Sequence, residues 1–468
     1  MTRPGSTTDQ HDQRHRGLAV ALICLVTVVA FETMSVATIM PAVLDDIGGL
    51  SLYGWVFSAL ALGQMLGIVG SGIWVDGANP AVPVAAGLGV FVVGLGVSGS
   101  ASSMLGVVVG RFLQGFGSGV VPTVAYVCVG RGFAATERPR IFALMSSAWL
   151  VPSLVGPLAS AWLVSHVSWR WVFLGLVPVT MVVAAFALAP IRRLGEPAVS
   201  SLPSDQRRRA NAERLALAVA ATVGAGVMLA GFQLRTTAAI VAVSGTGLTV
   251  TVAAFRRIVP AGTLRARGGV PAVIAVRGLL TASFFGAEVY VTLALTDLRA
   301  TSVGFAGFVL GASSFTWTAG SWIQSRQMPR WGARRLVQGG ITLVGVGIAL
   351  QWFVVATTVP VLWAVAAWGL CAFGIGLAYA PLSASVLAAA PEGAEGKLAS
   401  SLQLSDVLGM AVGTGFGGVA IALVDRGGGT LSTSISFIWW GAVVIAGVGV
   451  FAARGVPGLS VHVRSDSV

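Results

Sequence analysis

The chain has 468 residues, 55% of them hydrophobic and only 10% charged, a balance that excludes a water-soluble domain. Its formal net charge of +12 comes from arginines spread over separate short segments, which argues against a nucleic-acid-binding face. Cys24, Cys128 and Cys371 all fall inside apolar stretches, so they read as packing residues rather than a disulfide framework. His11, His15, His166 and His462 lie in tails or a loop, where they form no metal cluster and no embedded catalytic base. Neither an enzyme nor a metal or organic cofactor is expected.

A bilayer-spanning helix needs about 20 apolar residues, and the chain supplies such stretches in series. The first, from Gly17 to Ala42, follows Arg14 and Arg16 like a signal peptide but is too long and has no small-residue cleavage site, so it reads as a retained helix. It also contains Glu32. An acid near the bilayer centre costs roughly 3 kcal/mol on insertion scales and as a rule marks a functional position. Five more stretches run near 52–75, 81–99, 103–129, 141–164 and 170–190. An Arg-rich linker follows, then two further spans near 215–234 and 237–255, then a second basic segment with Arg256, Arg257, Arg265 and Arg267. The last six lie near 271–296, 302–323, 336–356, 361–389, 398–424 and 433–453.

The expected organisation is therefore a cytoplasmic tail (1–16), a six-helix bundle (17–190), a linker (191–213), two additional helices (214–255), a second linker (256–270), another six-helix bundle (271–453) and a tail (454–468). The fold class is an all-α polytopic membrane protein with 14 spans. Lys and Arg collect on the cytoplasmic side of membrane proteins. With both termini inside, only Arg170, Arg235, Arg299 and Arg426 fall outside and Arg111 within a span, while Arg277 counts toward the inner end of its helix. Small residues let helices approach closely in lipid. Gly63 and Gly67 form such a stripe on the second span, and Gly409, Gly413 and Gly417 on the thirteenth.

Two six-helix halves suit a transporter built from structural repeats, and specific motifs sharpen this. The fourth span carries Arg111-Phe-Leu-Gln114-Gly115-Phe-Gly117-Ser-Gly119, which resembles the RxxQGxG motif of the major facilitator superfamily. Pro152-Ser-Leu-Val-Gly156-Pro157 in the fifth is similar to the Gly-Pro motif of its proton-driven antiporters. Trp169-Arg170-Trp171-Val-Phe173 with Pro178, and Glu32 nine residues before Pro41, resemble the same branch, and the six-two-six count resembles its fourteen-helix drug/proton antiporters. The chain departs from that pattern in three places. Gly72 and Asp76 of the loop after the second span remain, but Gly77-Ala-Asn79-Pro80-Ala81 replaces the usual basic residues, leaving the cationic half of a cytoplasmic latch missing or supplied elsewhere. Gln324 stands in the second half where an acid would be expected, and Ser160-Ala161 where two glycines are usual. Pro152 and Pro157 each remove a backbone donor, so a bent helix is expected.

Two further acids lie deep in apolar stretches, Glu288 and Asp406. Glu288 precedes Asp297 by nine residues as Glu32 precedes Pro41, placing both glutamates about 13 Å from the outer ends of equivalent helices. They are expected to face each other across a central cavity, with Asp406 about 12 Å from the inner end of its helix. Desolvation favours the neutral form of a carboxylate and a bound cation favours the charged form, so one such group can exchange a proton for a cationic substrate. A buried Arg111 that pairs with a deprotonated acid and releases it on protonation supplies a switch.

The expected function is proton-coupled efflux of small amphipathic or cationic compounds across the plasma membrane. Glu32, Arg111, Glu288 and Asp406 would couple protons, and Glu32, Gln114, Glu288 and Tyr290 would meet substrate. Gly72, Asp76, Gly115, Pro152, Gly156 and Pro157 would serve the conformational cycle. The partners are the lipid bilayer and a small-molecule substrate, the coupling ion is the proton, and the protein is expected to be a monomer. Export of an endogenous metabolite or lipid is the alternative. An uptake symporter fits the Gly156-Pro157 motif poorly, and a non-transporting receptor or scaffold leaves the buried acids and arginine unexplained.

Overall fold

The computed structural model describes residues 7–49, 52–196, 204–231, 234, 236–355, 359–391, 393–426 and 428–458. The ends of both expected tails, the centre of the 191–213 linker and Arg235 lie outside them. The described chain is helical and contains no strand. Its helices are α1 (Thr7–Ile47), α2 (Tyr53–Val75), α3 (Ala81–Gly99), α4 (Met104–Gly132), α5 (Arg138–Ser147), α6 (Leu150–His166), α7 (Arg170–Leu174) and α8 (Leu176–Arg192). The linker helix α9 (Ser204–Gly231) and α10 (Thr237–Ile258) follow, then α11 (Val270–Leu293), α12 (Val303–Val355), α13 (Trp363–Ala388), α14 (Glu395–Arg426) and α15 (Leu431–Ala452). Among the described residues, 12 helical segments are long and apolar enough to cross a membrane. One of them, Gly304–Val355, has 52 residues, about twice a span, and breaks at Gly332, whose φ of 70° is non-helical.

The chain divides into two compact units, Met1–Thr222 with Ala390–Ser400, and Val223–Ala389 with Ser401–Val468. In the first, α1 packs on α6, α8 and α4, while α2 and α3 both lie against α4. Phe91, Leu95, Met40, Val43, Trp169 and Phe173 form part of its core. In the second, α12 packs on α13 and α15, and α11 on α13 and α15. Outward faces in both units carry Val, Leu, Phe and Trp, as a lipid-facing surface requires; Leu158, Val182, Val241, Val444 and Phe451 are all more than half exposed.

The bend in the fifth predicted span lies one turn before its first proline. Pro152 has no N–H to give to the carbonyl of Ala148, and the helix is interrupted between Ser147 and Leu150. The freed Ala148 oxygen accepts a long bond from Thr27 Oγ1 of α1 at 3.5 Å. The sixth span breaks in the same way at Gly175, beside the Leu174 carbonyl that Pro178 leaves without its helical donor.

The glycine stripes are sites of backbone contact. A Cβ on Gly63 would collide with the Phe112 carbonyl, and one on Gly115 with that of Leu60, so α2 and α4 meet at main-chain distance. Gly409 and Gly413 of α14 stand in the same relation to the carbonyls of Gly278 and Ala282 on α11. Any larger residue would force these helices apart.

Candidate functional site

Several charged clusters form among the described residues, each assembled from segments distant in sequence. The first is the pair Glu32–Arg111, whose side chains are 0% and 2% exposed. Its α1–α4 contact lets Arg111 Nη1 donate to Glu32 Oε1. The same nitrogen donates to Gln114 Oε1 at 2.8 Å, and Arg111 Nε donates to the Val56 carbonyl at 3.3 Å. Gln114 is fixed in turn by donating to the Gly94 carbonyl and to Ser98 Oγ, both at 3.0 Å. Gln114 thus links Arg111 to α3, with both hydrogens of its amide nitrogen engaged. Glu32 Oε2 is buried and has no partner among the described residues. The pair is held through one carboxylate oxygen only.

The second cluster lies in the second unit. Arg277, counted toward the inner end of its helix as a topological marker, instead has a side chain that is 0% exposed and makes a two-pronged bond to Asp406, Nε to Oδ1 at 2.9 Å and Nη2 to Oδ2 at 3.2 Å. The Tyr379 hydroxyl donates to Asp406 Oδ2, and the guanidinium carbon sits 2.9 Å from the centre of the Tyr379 ring. Arg277 Nη1 also reaches the Tyr379 carbonyl at 2.8 Å and Ser383 Oγ at 3.4 Å. The sequence contained the partner of Asp406, but the charge count absorbed it.

Glu288 has no hydrogen-bond or ion-pair partner among the described residues. One turn before it on α11, Phe284 begins an aromatic group with Trp368 at 5.0 Å, Trp317 at 5.5 Å and Phe285 at 5.1 Å between ring centres. Tyr290 is 7% exposed, donates its hydroxyl to the Thr414 carbonyl at 3.0 Å and lies over Gly417. It is engaged by α14.

The third cluster gathers around Asp76. Asp76 caps the start of α14, accepting from the amides of Gly396 at 2.7 Å and Lys397 at 2.9 Å. Gly72 and Gly396 allow this, since a Cβ on either would strike the other helix. The cations come from elsewhere in the chain. Arg131 of α4 pairs with Glu395 at 3.3 Å, and Arg214 of α9 donates to the Lys397 carbonyl and Ser400 Oγ, both at 2.9 Å. Burial pushes the Asp76 carboxyl up to about 6, against the two amides that favour its charged form. No sequence spacing links Arg131, Arg214 and Glu395, so pattern reading missed them.

Near the other end of α1, Asp46 accepts from Arg170 Nη1 at 2.7 Å and from Trp169 Nε1 at 3.0 Å, with the guanidinium over the Trp169 ring at 4.4 Å. The Arg170 bond holds its carboxyl below the usual range. The Trp169-Arg170 run is thus an anchor that ties α1 to α7.

A long all-helical chain with membrane-length apolar spans, internal charge pairs and glycine-lined helix contacts has the makings of a polytopic membrane transporter. The chain belongs to the Major Facilitator Superfamily, whose sequence profile matches residues 22–413. It is 27% identical over 169 residues to the multidrug transporter protein MdtP of Bacillus subtilis strain 168, covering 36% of this chain and 31% of that one. It is 26% identical over 193 residues to the MFS-type efflux pump LUC4 of a Fusarium species, covering 41% of this chain and 33% of the relative. The matched stretch thus spans about a third of each relative's length. In fold, it superposes on the human organic anion transporter MFSD10 (TETRAN) with a TM-score of 0.70 at 12% identity, covering 94% of this chain and 99% of that one. A bacterial homologue of the iron transporter ferroportin in its outward-facing state gives 0.68 at 12%, covering 93% and 98%.

Proposed function

We propose that the protein exports small amphipathic or cationic compounds in exchange for protons, by alternating access in the plasma membrane. In this reading it has fourteen spans, both termini in the cytoplasm, and works as a monomer. The observation that carries the reading is the Glu32–Arg111 pair, a buried carboxylate bonded through one oxygen while the other has no protein donor. Such a group can take a proton at its free oxygen and let go of the guanidinium. The guanidinium keeps Gln114 and the Val56 carbonyl as partners when it is released, which lowers the cost of the neutral state. Neutral and ionised forms of Glu32 thereby correspond to two arrangements of α1 against α4, the two-state element that coupling requires.

Glu288 supports the cationic side of the substrate range. It is an acid without a partner among the described residues, and one turn before it on α11 Phe284 packs with Phe285, Trp317 and Trp368; a carboxylate together with aromatic faces suits organic cations. The names of MdtP and the fungal efflux pump agree with export. A second reading, export of an endogenous metabolite, draws on a relative from Aspergillus aculeatus named for a biosynthesis cluster, 29% identical over 182 residues.

The test is a transport screen of cationic, neutral and anionic compounds in proteoliposomes with an imposed pH gradient, using wild type, Glu32→Gln and Glu288→Gln. Glu32→Gln is expected to abolish uphill export of every substrate, and Glu288→Gln to weaken cations selectively. Undiminished gradient-driven export by Glu32→Gln would overturn proton coupling at this residue.

A further inference from the structure

The hydroxyls along α1 and α6 divide into two groups. Thr27, Thr33 and Thr38 on α1 donate back to the carbonyls of Ile23, Val29 and Met34 at 2.8, 2.9 and 3.3 Å. On α6, Ser153 and Ser165 do the same to Leu150 and Trp162 at 2.8 and 3.0 Å. This is how a hydroxyl in an apolar helix is ordinarily satisfied. Ser35 and Ser160 are the exceptions. They are 0% and 1% exposed, and neither oxygen has a partner among the described residues. Each such orphan costs about 1–3 kcal/mol unless something fills it.

Glu32 Oε2, on the same helix as Ser35, is another buried oxygen with no partner among the described residues. Ser35 lies one turn after Glu32 on the same face of α1. Across the seam stands Gly156 of α6, whose missing Cβ would lie 3.5 Å from Ser35 Oγ and 3.7 Å from the Phe31 carbonyl. The two helices run in the same direction, since Thr27 meets Ala148 and Ser35 meets Gly156. Ser160, one turn beyond Gly156, therefore comes alongside the turn of α1 that begins at Ser35, about 6 Å further along the seam. Ser160 also occupies a position where the antiporter motif usually has glycine.

We propose that the α1–α6 seam binds a short file of ordered water joining Glu32 Oε2 to Ser35 Oγ and Ser160 Oγ, and that this file is the path by which the proton reaches and leaves Glu32. Buried water occupies sites lined by otherwise unsatisfied polar atoms, and Glu32, Ser35 and Ser160 set three such atoms along α1 and the α6 face that meets it. Transfer is by relay. Each water or hydroxyl oxygen accepts one proton and passes on another, the last going to Glu32 Oε2 as Arg111 is released, so one proton enters the seam for each one delivered and no other bond changes. The inference rests on the proton-exchange reading of Glu32, and it makes Ser35 and Ser160 positioning residues for that acid.

The experiment measures substrate-driven proton flux with a trapped pH dye, in H2O and in D2O, and substrate affinity on the same proteoliposomes. The variants are Ser35→Ala, Ser160→Gly and their double, with Thr33→Val as a back-bonded control and Ser160→Thr as a rescue. Ser160→Gly restores the residue usual in the motif, so it leaves the fold in place. The double variant is expected to slow proton flux about tenfold and enlarge the solvent isotope effect, with substrate affinity within about twofold of wild type. Thr33→Val and Ser160→Thr should match wild type. Wild-type flux and isotope effect in the double variant, with Glu32→Gln inactive, would overturn the water file while leaving Glu32 as the coupling acid. Continued flux in Glu32→Gln would overturn both.

Discussion

The two buried ion pairs are built from the same chemistry and satisfied to opposite degrees. Asp406 has both oxygens occupied, by two nitrogens of Arg277 and by the Tyr379 hydroxyl, and the arginine is further held by two acceptors and an aromatic face. Glu32 has one oxygen bonded and one bare. A carboxylate whose two oxygens both accept already must give up a donor to take a proton and acts as a clamp, whereas one that has an unfilled site for a proton is poised to change state. Glu32 is fully buried and Asp406 is 13% exposed, and the count of satisfied lone pairs separates the two acids further. On this ground the coupling role proposed for Asp406 ranks below that of Glu32.

The largest expected effects test that contrast directly. Glu32→Gln should eliminate proton-linked exchange while the protein remains folded, since the amide still accepts from Arg111; substrate-induced proton release from the purified protein is the measurement. Asp406→Asn should do the reverse, retaining proton release but lowering stability by about 3–5 kcal/mol, because the Asn amide nitrogen, itself a donor, has to replace an oxygen that accepts from Arg277 or Tyr379, whereas Gln at 32 can put its nitrogen at the bare Oε2 position. Equal loss of proton release in both variants would erase the distinction. A double replacement, Arg277→Met with Asp406→Leu, should recover most of that stability in a thermal denaturation series, as removing a whole buried pair is far cheaper than halving it. A smaller effect is expected from Tyr379→Phe, which removes one donor from Asp406. It should cost about 1–2 kcal/mol and leave the pH dependence of transport unaltered.

The contrast between the pairs also marks the boundary of what the chain reveals before it folds. Helix positions, the importance of Glu32 and Arg111, the bend near Pro152 and the close-packed glycine stripes follow from local hydropathy, from the cost of an embedded charge and from short motifs. What could not be read was pairing. Arg277 looked like a topological marker because its distance from a helix end is a one-dimensional fact, whereas its burial depends on how α11, α13 and α14 come together. Gln114 and Tyr290 are expected from sequence to meet substrate, and the Gly94, Ser98 and Thr414 acceptors that their donors reach are partners no sequence spacing announces. Arg131, Arg214 and Glu395 converge on Asp76 from three separated segments.

That convergence at Asp76 gives the smallest effect and the only one carried by a carboxyl outside the spans. With its amide bonds to Gly396 and Lys397 formed, Asp76 binds a proton with a pKa of about 6, compared with an ordinary value of 3.8 once it is undocked and hydrated. The state with the higher pKa gains as pH falls, so docking of α14 on Asp76 is favoured by acid and loses that advantage as pH rises through about 6. The linkage amounts to only about twofold in the docking equilibrium between pH 7 and pH 6. Amide hydrogen exchange over residues 393–400, corrected for the intrinsic pH dependence of exchange, should show protection rising by that factor on acidification. In Asp76→Asn the pH dependence should vanish. Asp76 is only partly buried, so it responds to bulk pH without the conformational step that Glu32 requires; protection that fell on acidification would show that the two amide bonds, rather than desolvation, dominate its charge state.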